Sequence, residues 1–207
     1  MTPVMKMIAT QARKMTSLFI EKGVIAGEDR EVYDYCFDLL LSTAILLLAM
    51  TAIAIRTGTV IQTLCFLAAF RMTRHSAGGY HAGSEVTCLI MTLGIYAAFL
   101  GLMKYLPAEV ITGITPVAGT AAAVLIWKYA PVGCLNRPLE GREAERLKRK
   151  SRRMILILLG CIAGLMIFRQ TRTAFAISCG TGIAALSLAA GRRILRKSAA
   201  ARKNEKQ

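Results

Sequence analysis

Two residue types able to do chemistry together stand seven positions apart in this chain, His81 and Cys88. They belong to the polar stretch Arg71-Met-Thr-Arg-His-Ser-Ala-Gly-Gly-Tyr-His-Ala-Gly-Ser-Glu-Val-Thr-Cys88, which also carries the second histidine, His75. Imidazole beside thiol is the pairing of a general base with a nucleophile. In one continuous helix, seven residues would separate the pair by about 10.5 Å, at ~1.5 Å per residue, and the side chains could not meet. The pair therefore requires a helix that begins after His81. Gly78, Gly79 and Gly83 loosen the backbone before that point, and Ser84 is a good N-cap. Thr87 three residues later leaves the capping box incomplete. Cys88 then falls near the first turn of a helix, where the dipole favours a thiolate and a neighbouring imidazolium favours it further. A thiol of pKa about 8.5 is only slightly ionised at neutral pH, and lowering it to about 6 makes most of it nucleophilic.

Other readings of the same residues exist. Cys88 alone is a small residue suited to packing in an apolar helix. His75, His81 and Cys88 would give three zinc donors, but their spacing fits no common zinc motif and Glu85 is the single carboxylate nearby. Arg71, Arg74 and His75 are suited to contact with lipid phosphate or to anchoring the loop.

The elements that position this stretch are apolar. Of 207 residues 55% are hydrophobic and the mean hydropathy is +0.48, above what a soluble domain of this length needs. Charges gather in short segments between apolar runs at about 36–55, 59–70, 86–106, 108–130, 154–168 and 173–191. This predicts an all-α integral membrane protein of one domain over 1–207, with about six transmembrane helices. Residues 59–70 are short for a span and are also compatible with a re-entrant segment. Residues 3–22 place Val4, Met5, Ile8, Met15, Leu18 and Phe19 on one helical face, which predicts an N-terminal amphipathic helix within an interfacial segment 1–27, ended by Gly23 and Gly27; a surface helix packed on the protein's own loops fits the same pattern. It lacks the continuous apolar core of a secretory signal.

With six spans and an internal N-terminus, loops 71–85 and 131–153 and the tail 192–207 carry 17 Lys and Arg, against 4 in the other loops. The positive-inside rule then places both termini and the 71–88 segment in the cytoplasm.

A second polar segment, 131–153, follows the fourth apolar run. Pro131 and Pro138 predict an extended connector around Arg137, and a basic run with Arg146, Lys148, Arg149 and Lys150 leads into the fifth run. This run suits anionic lipid, an acidic peptide, or both.

The net charge of +15 sits beside the apolar spans, which points to membrane retention rather than nucleic acid. No Gly-Lys pair occurs, so a P-loop nucleotide site is excluded, and no cofactor is expected. No C-x-x-C pair is present; Cys36, Cys65, Cys161 and Cys179 lie in or beside apolar runs as small packing residues. Gly160-x-x-x-Gly164 offers a close helix contact.

The two polar segments together resemble the accessory gene regulator B family, membrane endopeptidases of peptide quorum sensing in Gram-positive bacteria. The resemblance is carried by Arg71, Gly78-Gly79-Tyr80-His81-Ala82 with Cys88, Ala130-Pro131, Asn136-Arg137-Pro138 and the basic run. It implies a cysteine endopeptidase with Cys88 as nucleophile and His81 as base. The implied substrate is a short propeptide with an amphipathic N-terminus and an acidic tail, cut near its C-terminus and closed to a lactone or thiolactone. Arg71, Arg74, Arg137, Arg146, Lys148, Arg149 and Lys150 are the candidate substrate contacts. The resemblance also implies a bacterial cell membrane location and a homodimer. Cys134 departs from the polar or charged residue more usual there, which bears on substrate contacts of that loop. A peptide exporter and a non-enzymatic adaptor are the rival classes; span centres nearly bare of charge argue against transport, and an adaptor has no use for an activated thiol.

Overall fold

The computed structural model describes residues 3–77, 85–131 and 141–204, with side chains over 7–76, 90–131 and 141–193. All regular structure among them is helical. The order is α1 (Pro3–Glu21), a 3₁₀ turn (Gly27–Asp29), α2 (Arg30–Thr57), α3 (Val60–Ala77), α4 (Glu85–Tyr105), α5 (Ala108–Tyr129), α6 (Gly141–Ile167) and α7 (Thr171–Asn204). Each of the six apolar runs matches one of α2 to α7, with no more than one residue beyond the helix. Among the described residues three helical stretches are long and apolar enough to cross a membrane: Gly27–Thr57, Ala108–Tyr129 and Thr171–Arg193. Ile90–Tyr105 is a shorter apolar stretch.

The chain divides into two compact units. The first comprises residues 1–56 and 82–96. Its α1 ends as expected at Gly23, whose φ of +67° lies in the left-handed region that a side chain disfavours. The buried line of α1 is Ile8, Ala12 and Thr16, while Met7, Leu18 and Phe19 stay exposed. Phe19 stacks on Phe37 of α2 with centroids 5.5 Å apart, and Arg30 donates to Ser17 Oγ at 3.1 Å. Tyr96 Oη, on a fully buried ring, donates to the Met50 carbonyl at 3.1 Å, which ties α4 to α2.

The second unit comprises residues 57–81 and 97–207 and is a helical bundle. Helix α7 is its centre and packs on α3, α5 and α6. Its small residues permit this: Ala174, Ala176, Ser178, Ala184 and Ala185 are all buried. At Gly180 an added Cβ would stand against the Phe66 carbonyl oxygen of α3, with Phe70 N at 3.1 Å. At Gly119 of α5 it would meet Ile162 Cδ1 at 3.1 Å and Ser178 Oγ at 3.2 Å. Ser178 Oγ donates to the Thr115 carbonyl at 3.2 Å, so a hydroxyl inside the bundle is satisfied across helices. Gly160 and Gly164, expected to pack closely, have nothing within 4 Å. The close crossings of this chain use Gly119 and Gly180 instead, since these are the glycines that the bundle faces.

Two helices run further than the hydropathy indicates. Helix α3 continues through Arg71, Arg74 and His75 to Ala77, where a loop from residue 71 was expected. Helix α6 starts at Gly141 and takes in the whole basic run. The reason is local: residues 142–153 are rich in Arg, Lys and Glu, all strong helix formers, with no Gly or Pro among them. Ser151, Ile155, Leu158 and Ile162 then form its buried stripe at helical spacing. Ala130, in extended conformation before Pro131, stops α5 as predicted.

Candidate functional site

The nucleophile candidate sits on a helix start. Helix α4 begins at Glu85, so Cys88 is on its first turn. His81, Ser84 and Arg137 lie outside the described residues, as does the Cys88 side chain. The remaining candidates are placed by α3 and α6, within the second unit.

On α3, Arg71 is exposed and Arg74 is half-buried. Arg74 Nη1 donates to Ser187 Oγ of α7 at 3.3 Å, and its guanidinium lies 5.8 Å from the Phe70 ring centroid. His75 Nδ1 is 3.4 Å from Lys150 Nζ of α6. One residue on, Ser151 Oγ donates to the Ser76 carbonyl at 2.7 Å, a buried bond that fixes α3 against α6. The last described turn of α3, which leads into residues 78–84, is thus held by both α6 and α7.

The basic run of α6 is divided between faces. Arg146, Arg149, Lys150 and Arg153 share one face with Met154 and Ile157, and the six line an open groove of about 410 Å³. Lys148 lies off that face, exposed. Arg149 Nη2 is 3.8 Å from Glu145 on the same helix. Such exposed i,i+4 pairs contribute little to stability. Arg152 instead turns its guanidinium over the Trp127 ring at 4.6 Å, and Arg192 of α7 lies 4.5 Å over Tyr129. Spacing alone flagged the basic run but not these aromatic partners. The signal available was the Trp127-x-Tyr129 pair at the end of an apolar helix, the position of interfacial aromatics.

The structure therefore gathers His75, Lys150 and Ser151, and separately Arg74 with Ser187. No group of three or more His, Cys, Asp or Glu arranged to hold a metal occurs among the described residues. His81 and the Cys88 side chain, needed for the zinc set, fall outside that comparison. Cys36, Cys65, Cys161 and Cys179 are free thiols on α2, α3, α6 and α7.

A family model for accessory gene regulator B matches residues 12–188, from α1 to the middle of α7. The chain belongs to the accessory gene regulator B family. Similar curated proteins, named provisionally as AgrB-like, come from three bacteria. That of Listeria innocua serovar 6a is 28% identical over 152 residues, 70% of this chain and 72% of the relative. That of Clostridium perfringens is 25% identical over 139 residues, 64% of this chain and 65% of the relative. That of Clostridium acetobutylicum is 28% identical over 103 residues, 49% and 48% of the two chains. No solved structure matches the chain. Family membership connects the chain to the accessory gene regulator system of quorum sensing and takes in the whole of the 71–88 segment and the basic part of α6.

Proposed function

We propose that this accessory gene regulator B family member is a multi-pass membrane cysteine endopeptidase that cleaves a short propeptide and promotes its cyclisation. The observation that carries the reading is the position of Cys88 on the first turn of α4, seven residues after His81, inside the region shared with the family. The first turn of a helix is the positive end of its dipole, which lowers the cost of a thiolate. His81 takes the thiol proton as general base. The thiolate attacks the scissile carbonyl, the C-terminal fragment leaves with a proton on its new amine, and the acyl group stays on Cys88 as a thioester. An internal thiol or hydroxyl of the peptide then attacks that thioester, closes the ring and releases Cys88. Exchange between thioesters is nearly balanced in free energy, so the ring needs no nucleotide. Incubating the purified chain with its propeptide tests this: a mass adduct on Cys88, removable by hydroxylamine, is the expected result. A thiol alkylator should inhibit and a chelator should not. Inhibition by the chelator alone would return the zinc reading.

Six spans with cytoplasmic termini are part of the proposal. Contacts in the second unit support it: Arg74, His75 and Ser76 of α3 meet Ser187 of α7 and Lys150 and Ser151 of α6, and α5 joins through Trp127 and Tyr129. The chain ends of α3 and α5 thus share a level with the start of α6 and the later part of α7. That is the alternation a six-span chain requires, and it gathers the basic segments on one side. A reporter after Gln207 and a thiol probe placed within 140–150 should both read cytoplasm. External labelling at 140–150 would overturn this topology.

We further assign Arg71, Arg74, Arg137, Arg146, Lys148, Arg149 and Lys150 to contacts with the acidic part of the propeptide. Neutralising Arg146, Lys148, Arg149 and Lys150 together should raise KM roughly ten-fold or more in low salt and much less in high salt, because surface charge contacts are screened. An unchanged KM in a normally inserted protein would leave the run as a membrane anchor only.

A further inference from the structure

The groove on α6 has an order to it. Arg146, Arg149, Lys150 and Arg153 come first along the helix, and Met154 and Ile157 continue the same face where α6 turns apolar. Ser151, Ile155, Leu158 and Ile162 of α6 are buried in the bundle and Met154 packs partly against it, so the groove runs along the outer side of α6 beside the end of α3. The six lining residues include no carboxylate, and Glu145 at the edge of the groove lies 3.8 Å from Arg149. Lys150 is steadied by His75 Nδ1 at 3.4 Å. The level is that of Trp127, whose ring lies under the Arg152 guanidinium. Tryptophan beside basic residues at the end of an apolar helix is the composition of the lipid headgroup layer.

We propose that this groove is a binding site for one anionic phospholipid, with its phosphate held by Arg146, Arg149, Lys150 and Arg153 and an acyl chain laid on Met154 and Ile157. An acidic peptide segment complements the four cations equally well. It has no counterpart for the apolar floor, which begins at the turn where α6 would enter hydrocarbon. Ile157 is 60% exposed, a large apolar side chain that an acyl chain covers without any change in the bundle. The inference rests on α6 entering the membrane and not on the peptidase chemistry, and the acidic part of the propeptide would displace the phosphate from the three cations that the two share, Arg146, Arg149 and Lys150.

Native mass spectrometry of the full chain in detergent tests it, titrating dioleoyl phosphatidylglycerol against dioleoyl phosphatidylcholine. One phosphatidylglycerol should be retained in preference. Arg146→Gln with Arg153→Gln should weaken it about 25-fold, at about five-fold per cation near a membrane surface. Arg146→Lys with Arg153→Lys should keep most of the binding, and Ile157→Ser should weaken it several-fold while leaving the charge intact. Lys148→Gln with Arg172→Gln removes the same charge away from the groove and should change retention less than two-fold. Cys88→Ala should bind lipid as the wild type does, which separates this result from any failure of the peptidase reading. Equal retention of the two lipids, or an equal loss in the Lys148 and Arg172 variant, overturns the site. Selective binding of a glutamate-rich peptide without selection for phosphatidylglycerol assigns the groove to peptide and overturns it as well.

Discussion

Cys88→Ala is expected to leave no acyl adduct and no cleaved peptide, a loss of at least about 10⁴-fold, because the nucleophile of a covalent mechanism has no substitute. Cys88→Ser should be nearly as inactive. Serine has the right size, but its hydroxyl is far less ionised than a thiol near neutral pH, and a helix start does not close that gap. His81→Ala should behave differently. On the proposed mechanism it removes the base and keeps the nucleophile, so adduct should still form, slower by about 10²- to 10⁴-fold. Raising the pH should recover part of that rate as the thiol ionises unaided, and the recovery separates a catalytic from a folding role. All three proteins should insert and purify as the wild type does. Cleaved peptide from the Cys88→Ala protein would end the cysteine mechanism.

The second large effect concerns stability. Gly180→Ala should lower the unfolding temperature of the detergent-solubilised chain, against the ordinary trend. In a helix interior alanine is favoured over glycine by about 1 kcal/mol. Here the new Cβ meets the Phe66 carbonyl oxygen, with Phe70 N at 3.1 Å and Ala69 Cβ at 3.2 Å. Two of these are backbone atoms of α3, which cannot rotate aside, so α3 and α7 must separate. Overpacking of that kind costs about 1–3 kcal/mol, enough to reverse the propensity gain. Gly119→Ala should cost less, because Ile162 Cδ1 and Ser178 Oγ belong to side chains able to shift. Gly164→Ala has open space and should leave stability unchanged or slightly higher. If Gly180→Ala proves as harmless as Gly164→Ala, the close α3–α7 crossing is wrong.

These glycines show where sequence reading stops. A G-x-x-x-G pattern marks a smooth strip on a helix, but which strip meets a neighbour depends on how the helix is rotated in the bundle. Gly119 and Gly180 carry no such pattern and make the close crossings. The apolar runs located α2 to α7 because burial in a membrane demands continuous hydropathy. Hydropathy did not locate the ends of α3 and α6, since a helix persists into charged sequence wherever its residues favour helix. The lines from His75 to Lys150 and from Ser76 to Ser151 join positions 75 residues apart, and no local rule reaches that far. The start of α4 was legible because Ser84 is a local capping signal. The meeting of His81 with Cys88 remains a reading of spacing and of family membership.

Trp127 is the single tryptophan of the chain, 44% exposed, with the Arg152 guanidinium 4.6 Å from its ring. The protein thus carries one tryptophan fluorophore, and its emission comes from one position, near the C-terminal end of α5. Quenchers placed at defined positions along lipid acyl chains would measure its depth directly, without a label. Arg152→Gln would strip the cation from the ring and alter its emission at a fixed location. The same spectrum would therefore register how deeply α5 sits and whether α6 still rests against it.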